Sequence, residues 1–101
     1  MKYVENSTTE LKGQYTKSFL KSVSAFATYD GGKIYFGVDE ASEMIVGVDN
    51  MKELRLKVEN AIHDSISPRP SYEFDVKHLD GKDVLELTVI AGKEGPYFYN
   101  N

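Results

Sequence analysis

From Thr16 onward the apolar positions fall into a helical period. Phe19, Leu20, Val23, Phe26 and Ala27 stand at i, i+1, i+4, i+7 and i+8, which puts them on one face of an amphipathic helix. Asp30-Gly31-Gly32 should end that helix, because glycine takes the left-handed geometry of a helix C-terminus without a Cβ penalty. Lys33 to Val38 is β-branched and aromatic on both alternating faces, the mark of an interior strand. Polar Asp39 to Glu43 then reads as a loop before a second short strand, Met44 to Val48, so the two predict a hairpin. Asn50 and Glu53 have capping-box spacing and open a second helix, whose apolar stripe is Leu54, Val58, Ala61, Ile62, Ser65 and Ile66. Pro68-Arg69-Pro70 stops it. The period next becomes two: Tyr72, Phe74 and Val76 alternate with Glu73, Asp75 and Lys77, and Asp80-Gly81 turns the chain into Val84 to Ile90, a second hairpin. Glu10-Leu11-Lys12 fits either one helical turn or the start of a strand. The tail from Ala91 to Pro96 is loop-forming and precedes the aromatic cluster Tyr97, Phe98 and Tyr99. Together these elements predict an α+β fold, a mixed sheet of about five strands packed by two helices around one core. A length of 101 residues suits a single domain.

Composition adds exclusions. A chain 41% hydrophobic and 28% charged is folded and globular. Twelve basic against 16 acidic residues give a net charge of -4 and a pI near 5.1, the wrong sign for holding a polyanion by overall charge, so any nucleic-acid role must rest on a local patch. The absence of cysteine removes disulfides, thiolate catalysis and the common structural zinc sites, and fits a reducing compartment. No apolar run is long enough to span a membrane, and Met1 to Glu5 lacks the apolar core of a signal peptide. A cytoplasmic protein with no membrane partner is the expectation.

The best local patch is Lys12, Lys17 and Lys21, with no acid between them and Tyr15 inside the stretch for stacking. The same lysines also suit a plain solvated helix face. Asp30-Gly31-Gly32-Lys33 could bring backbone amides near a phosphate, yet it follows a helix instead of opening one, and no Walker motif exists, so ATP hydrolysis is unsupported. Glu5, Glu10, Asp39 and Glu40, with Lys12, are the residue types of a magnesium-dependent nuclease, and equally of an ordinary acidic surface. His63 and His78 lack a neighbouring metal-ligating residue in sequence and read as ordinary imidazoles. No Gly-x-Ser-x-Gly nucleophile occurs.

Three blocks, Glu5 to Lys12, Ser24-Ala-Phe-Ala-Thr-Tyr-Asp-Gly-Gly-Lys-Ile-Tyr-Phe-Gly-Val-Asp-Glu40, and Ile45-Val-Gly-Val48, resemble in order and spacing the Schlafen-type AlbA-like domain, also labelled divergent AAA. The resemblance implies an AlbA-like core and a non-catalytic DNA-binding module of a bacterial or archaeal transcriptional regulator. Lys12, Lys17, Lys21 and Lys33 would contact phosphate and the Gly31-Gly32 turn would allow close approach. It also implies that the domain continues past Pro96-Tyr97, making the chain a C-terminally truncated piece of a longer regulator with a helix-turn-helix region further along. The alternative within the resemblance is a metal-dependent endoribonuclease with magnesium or manganese on Glu5, Glu10 and Glu40; otherwise no cofactor or metal is implied. Asn6 and Leu11 replace the usual Ser and Phe, and Thr28-Tyr29 replaces Asn-Thr. A third reading is an interaction or homodimerisation domain that pairs through an exposed edge strand.

Overall fold

A computed structural model describes residues 3–100. The chain runs β1 (Thr9–Lys12), α1 (Phe19–Thr28), β2 (Gly32–Phe36), α2 (Met51–Ser65), β3 (Ile66–Ser67), β4 (Ser71–Leu79), β5 (Lys82–Ile90) and β6 (Phe98–Tyr99). Four strands form one sheet in the order β1-β2-β5-β4, and β3 pairs with β6 in a small second sheet. The architecture is α+β with two helices, as the periodicity predicts. Glu10-Leu11-Lys12 is a strand, parallel to β2, while β2–β5 and β4–β5 are antiparallel.

Each helix begins and ends for a local reason. The α1 C-terminus is closed by Tyr29 N–H donating to Ala25 O at 3.0 Å and Gly31 N–H to Phe26 O at 2.7 Å, with Gly31 at φ +77°. Asn50 caps α2, its Oδ1 accepting from Glu53 N–H at 3.1 Å and its amide donating to the Glu53 carboxylate at 3.2 Å.

Strand alternation divides the core in two. Ile34 and Phe36 of β2, with Leu85, Leu87 and Val89 of β5, point to the helices and meet Phe19, Leu20, Val23, Val58 and Ile62. Phe19 and Phe36 contact edge to face at 5.5 Å. Tyr35, Val38 and Val84 point the other way and build a smaller cluster with Tyr3 and Leu11.

The predicted Lys33–Val38 and Met44–Val48 hairpin does not form. Both sides of β2 are already occupied, by β1 and β5, so the later segment has no free edge to pair with. The chain instead leaves the sheet at Gly37, φ +108°. Only a single bridge, Val38 to Ile45, remains. A Cβ on Gly37 would lie 3.2 Å from the Gly47 carbonyl carbon, a close approach that requires glycine. Among the described residues no helix is long and apolar enough to cross a membrane.

Candidate functional site

The lysines of the first predicted patch separate into used and free. Lys12 ends β1, and its amine donates to Ser18 Oγ at 2.8 Å while lying 3.9 Å from Glu10 Oε2, which ties it to the α1 N-terminus. Lys17 and Lys21 are exposed one turn apart, and neither has an ion-pair partner among the described residues. Tyr15, just before α1, packs its ring on Phe19 at 5.6 Å. Its hydroxyl proton is held more tightly than usual, by burial first and by Tyr99 second.

The structure adds a lysine that sequence reasoning missed. Lys57 of α2 carries its amine 5.1 Å above the Tyr15 ring, a cation–π contact. In sequence Lys57 is only one polar position beside Val58; the tertiary structure brings it over Tyr15, 42 positions earlier in the chain. Lys57 and Tyr15 thus form a cation–π pair, with Tyr15 two residues before Lys17 in sequence, and Lys17 and Lys21 stand exposed one turn apart.

Gly31, Gly32 and Lys33 lie elsewhere. In the β1–β2 register Thr9 is opposite Lys33 and Lys12 opposite Phe36, so Lys12 and Lys33 mark opposite ends of the strand pair. The glycine turn borders an open cleft of about 550 Å³. Each glycine has a packing reason: a Cβ would lie 2.9 Å from Val89 O at Gly31 and 2.7 Å from the Phe26 ring at Gly32. The Gly31 amide is already spent on α1, and the helix presents its C-terminal, partly negative end to this turn. Lys33 reaches over to the neighbouring β5, within 3.4 Å of Glu86 Oε1.

Among the carboxylates, Glu5 accepts from Leu11 N–H at 3.1 Å and Glu10 Oε1 from Ser22 Oγ at 2.5 Å, while Glu10 Oε2 is buried without a hydrogen bond. Glu40 is exposed near Gly13. Asp39 folds back on its own loop, accepting from the Ala41 and Ser42 amides and the Ser42 hydroxyl, and these bonds hold its pKa below the usual carboxylate value. A divalent cation needs several oxygens converging at short range. Among the described residues no three His, Cys, Asp or Glu side chains are grouped to hold one, so Glu5, Glu10 and Glu40 as they stand do not fit magnesium or manganese. His63 Nε2 bonds the Tyr72 hydroxyl at 2.9 Å, and His78 bonds Asp83.

The sheet face away from the helices holds a second polar cluster. Glu86 is buried at 7% exposure; Tyr35 donates its hydroxyl proton to Glu86 Oε2 at 2.8 Å, and Tyr3 stacks on Tyr35 at 4.2 Å. Burial and this carboxylate push the Tyr35 hydroxyl well above the usual tyrosine range. The signal was a lone glutamate inside the apolar run Val84 to Ile90.

With this geometry in place, likeness to known proteins can be stated. Among curated proteins none matches the chain in sequence. The N-terminal domain of a RecG-related protein from Nitrosomonas europaea, solved by NMR, superposes with a TM-score of 0.75 at 19% identity, over 97% of this chain and 74% of that one. The crystal structure of the DIP2311 protein from Corynebacterium diphtheriae superposes with a TM-score of 0.64 at 17% identity, over 90% of this chain and 19% of that much longer one. At these identities the likeness establishes a shared fold. Residues 5–101 match the profile of the Schlafen, AlbA_2 family, covering the β1, α1–β2 and Gly37–Val48 segments, and the chain therefore belongs to the Schlafen AlbA_2 family.

Proposed function

We propose that the domain is a non-catalytic nucleic-acid-binding module of a longer regulator, with DNA as its partner, gripping the phosphate backbone through the edge formed by Lys17, Lys21 and Lys57. The observation that carries the reading is the combination of two free, exposed lysines one turn apart with a third amine seated over Tyr15. Family membership supports it, as does a structural neighbour whose name relates it to an ATP-dependent DNA helicase. Lys12 positions the α1 N-terminus and supplies charge from behind, through Ser18. Gly31, Gly32 and Lys33 form a structural turn in this reading, because the Gly31 amide is spent and Lys33 faces Glu86. The regulator's helix-turn-helix region, in the continuing chain, would read the bases, while this edge supplies position and salt-sensitive affinity.

Anisotropy titrations of labelled duplex DNA against salt test this. Each phosphate neutralised contributes about 0.9 to the slope of log K on log salt. The Lys17→Glu/Lys21→Glu/Lys57→Glu variant should bind at least ~10-fold more weakly at low salt and lose about 2 to 3 from that slope. Binding that is absent, insensitive to salt, or unchanged in the variant would overturn the proposal.

A further inference from the structure

One edge of the sheet is left open. β4 runs nine residues and pairs with β5 in unbroken register from Ser71–Ile90 to Leu79–Lys82. Its other side pairs with no strand among the described residues. Natural edge strands are usually short, bulged, interrupted by proline or covered, since a long regular edge is a template for another strand. Between Ser71 and Leu79 β4 is neither short, bulged nor interrupted by proline; the charges it carries, Glu73, Asp75 and Lys77, restrict which strand can pair with it.

We infer that β4 is a homodimer interface, pairing antiparallel with β4 of a second copy about Val76 and joining two four-stranded sheets into one of eight strands.

The occupant follows from symmetry and charge. A two-fold axis normal to the sheet places a residue opposite its own copy and keeps both helix layers on one side. Directly opposed side chains share a face, so on the helix-free face only Glu73, Asp75 and Lys77 decide the register. Centring on Glu73 or Lys77 puts like charges face to face, and centring on Asp75 opposes two carboxylates at the axis although it sets Glu73 against Lys77 of the partner subunit. Centring on Phe74 sets Glu73 against Asp75 of the partner subunit, again like against like. Centring on Val76 alone sets Asp75 against Lys77 of the partner subunit, twice, with Glu73 opposite an uncharged leucine. Of these registers, the Val76 one has complementary charge pairs and no like-charge pair. Within the protomer Lys77 already lies 2.9 Å from Asp75, an exposed pair that lowers the carboxyl pKa and raises that of the amine; the second copy turns this pair into a four-charge alternating row.

The helix layer favours the same partner. Arg55 lies 5.1 Å over the Phe74 ring and His63 bonds Tyr72, so that face of α2 overhangs β4. Leu56, on the same overhang, is 57% exposed beside an open groove with Met51, Arg55 and Glu59. A strand edge plus one helix flank is a small interface, and small interfaces give weak, reversible dimers, with a Kd on the order of 10 to 100 μM.

Sedimentation equilibrium across that concentration range tests the inference with Asp75 and Lys77 variants, whose side chains face away from the helix core. The wild-type chain should dimerise. Asp75→Lys, which opposes lysine to lysine, should weaken association at least ~10-fold, and Asp75→Lys/Lys77→Asp should restore it. Because the chain has no cysteine, Val76→Cys gives a second readout: a short bifunctional thiol reagent should cross-link it to its own copy across the ~5 Å Cβ separation of opposed residues. A monomer at every concentration would overturn the inference. So would a dimer indifferent to Asp75→Lys, a charge swap without rescue, or a Val76→Cys chain that stays uncross-linked while dimeric. None of these readouts involves DNA, so failure here leaves the lysine edge untouched, and the reverse also holds.

Discussion

Tyr35 and Glu86 show how one buried carboxylate shapes its surroundings. Glu86 lies in β5 between Leu85 and Leu87, and strand alternation turns it away from the helices onto the open face. A carboxylate removed from water needs donors, and Tyr35 O–H and the Lys33 amine supply them. Replacing Tyr35 with Phe should cost about 1 to 3 kcal/mol, because one carboxylate oxygen loses its partner; urea denaturation at neutral pH measures this. The sign of the pH dependence follows from the raised hydroxyl pKa. The folded chain holds the tyrosyl proton more tightly than the unfolded chain, so this contribution is full below pH ~10 and falls as pH rises above it. Tyr3, Tyr15 and Tyr72 are shifted the same way, so Tyr35→Phe should make the alkaline loss shallower without abolishing it. A variant as stable as wild type, with the same alkaline slope, would show that the Glu86 contact is not formed in solution.

Elements hold or fail by whether local preference and available partners agree. α2 is mostly polar and buries only Val58 and Ile62 completely, so its ends matter. The Asn50 cap satisfies an amide that would otherwise face water alone, and Asn50→Ala should lower the unfolding free energy by about 1 kcal/mol, read as a shift in the urea midpoint with an unchanged slope. The α1 boundaries were legible because apolar spacing and Gly31 agree. Met44 to Val48 was misread because a strand-like composition states only that a segment would pair if an edge were offered. β1 and β5 flank β2 instead, and that allocation depends on residues far along the chain. The same logic makes β1 a strand: Glu10-Leu11-Lys12 was ambiguous alone, and the parallel edge of β2 decided it.

At the scale of the whole molecule, net charge and local charge part company. A chain of net charge -4 still carries exposed Lys17 and Lys21 on α1 and its approach, with Lys57 over Tyr15, while Glu73, Asp75 and Glu86 lie on the sheet face turned away from the helices. A polyanion approaching the lysine edge feels mainly what lies within about 10 Å at moderate salt, so the edge and not the average sets the interaction. Among the described residues no three acidic or imidazole side chains converge on one point. Structured RNA incubated with magnesium or manganese should remain intact, with Glu10→Gln no different from wild type; metal-dependent cleavage lost in Glu10→Gln would instead establish a nuclease and displace the binding-module reading.

The amino-acid order by itself determined the helices, the β4–β5 hairpin, the caps and the family, since each depends on spacing within some fifteen neighbouring positions or on a linear motif. Lys17 and Lys21 could be nominated on the same ground. Only the tertiary structure decided which lysines stay free, that Lys57 lies over Tyr15, that Lys12 and Lys33 stand at opposite ends of a strand pair, and that β4 is left with an open side. The physical reason is that burial, ion pairing and strand neighbours are set by contacts between distant segments, which a local pattern makes possible without selecting.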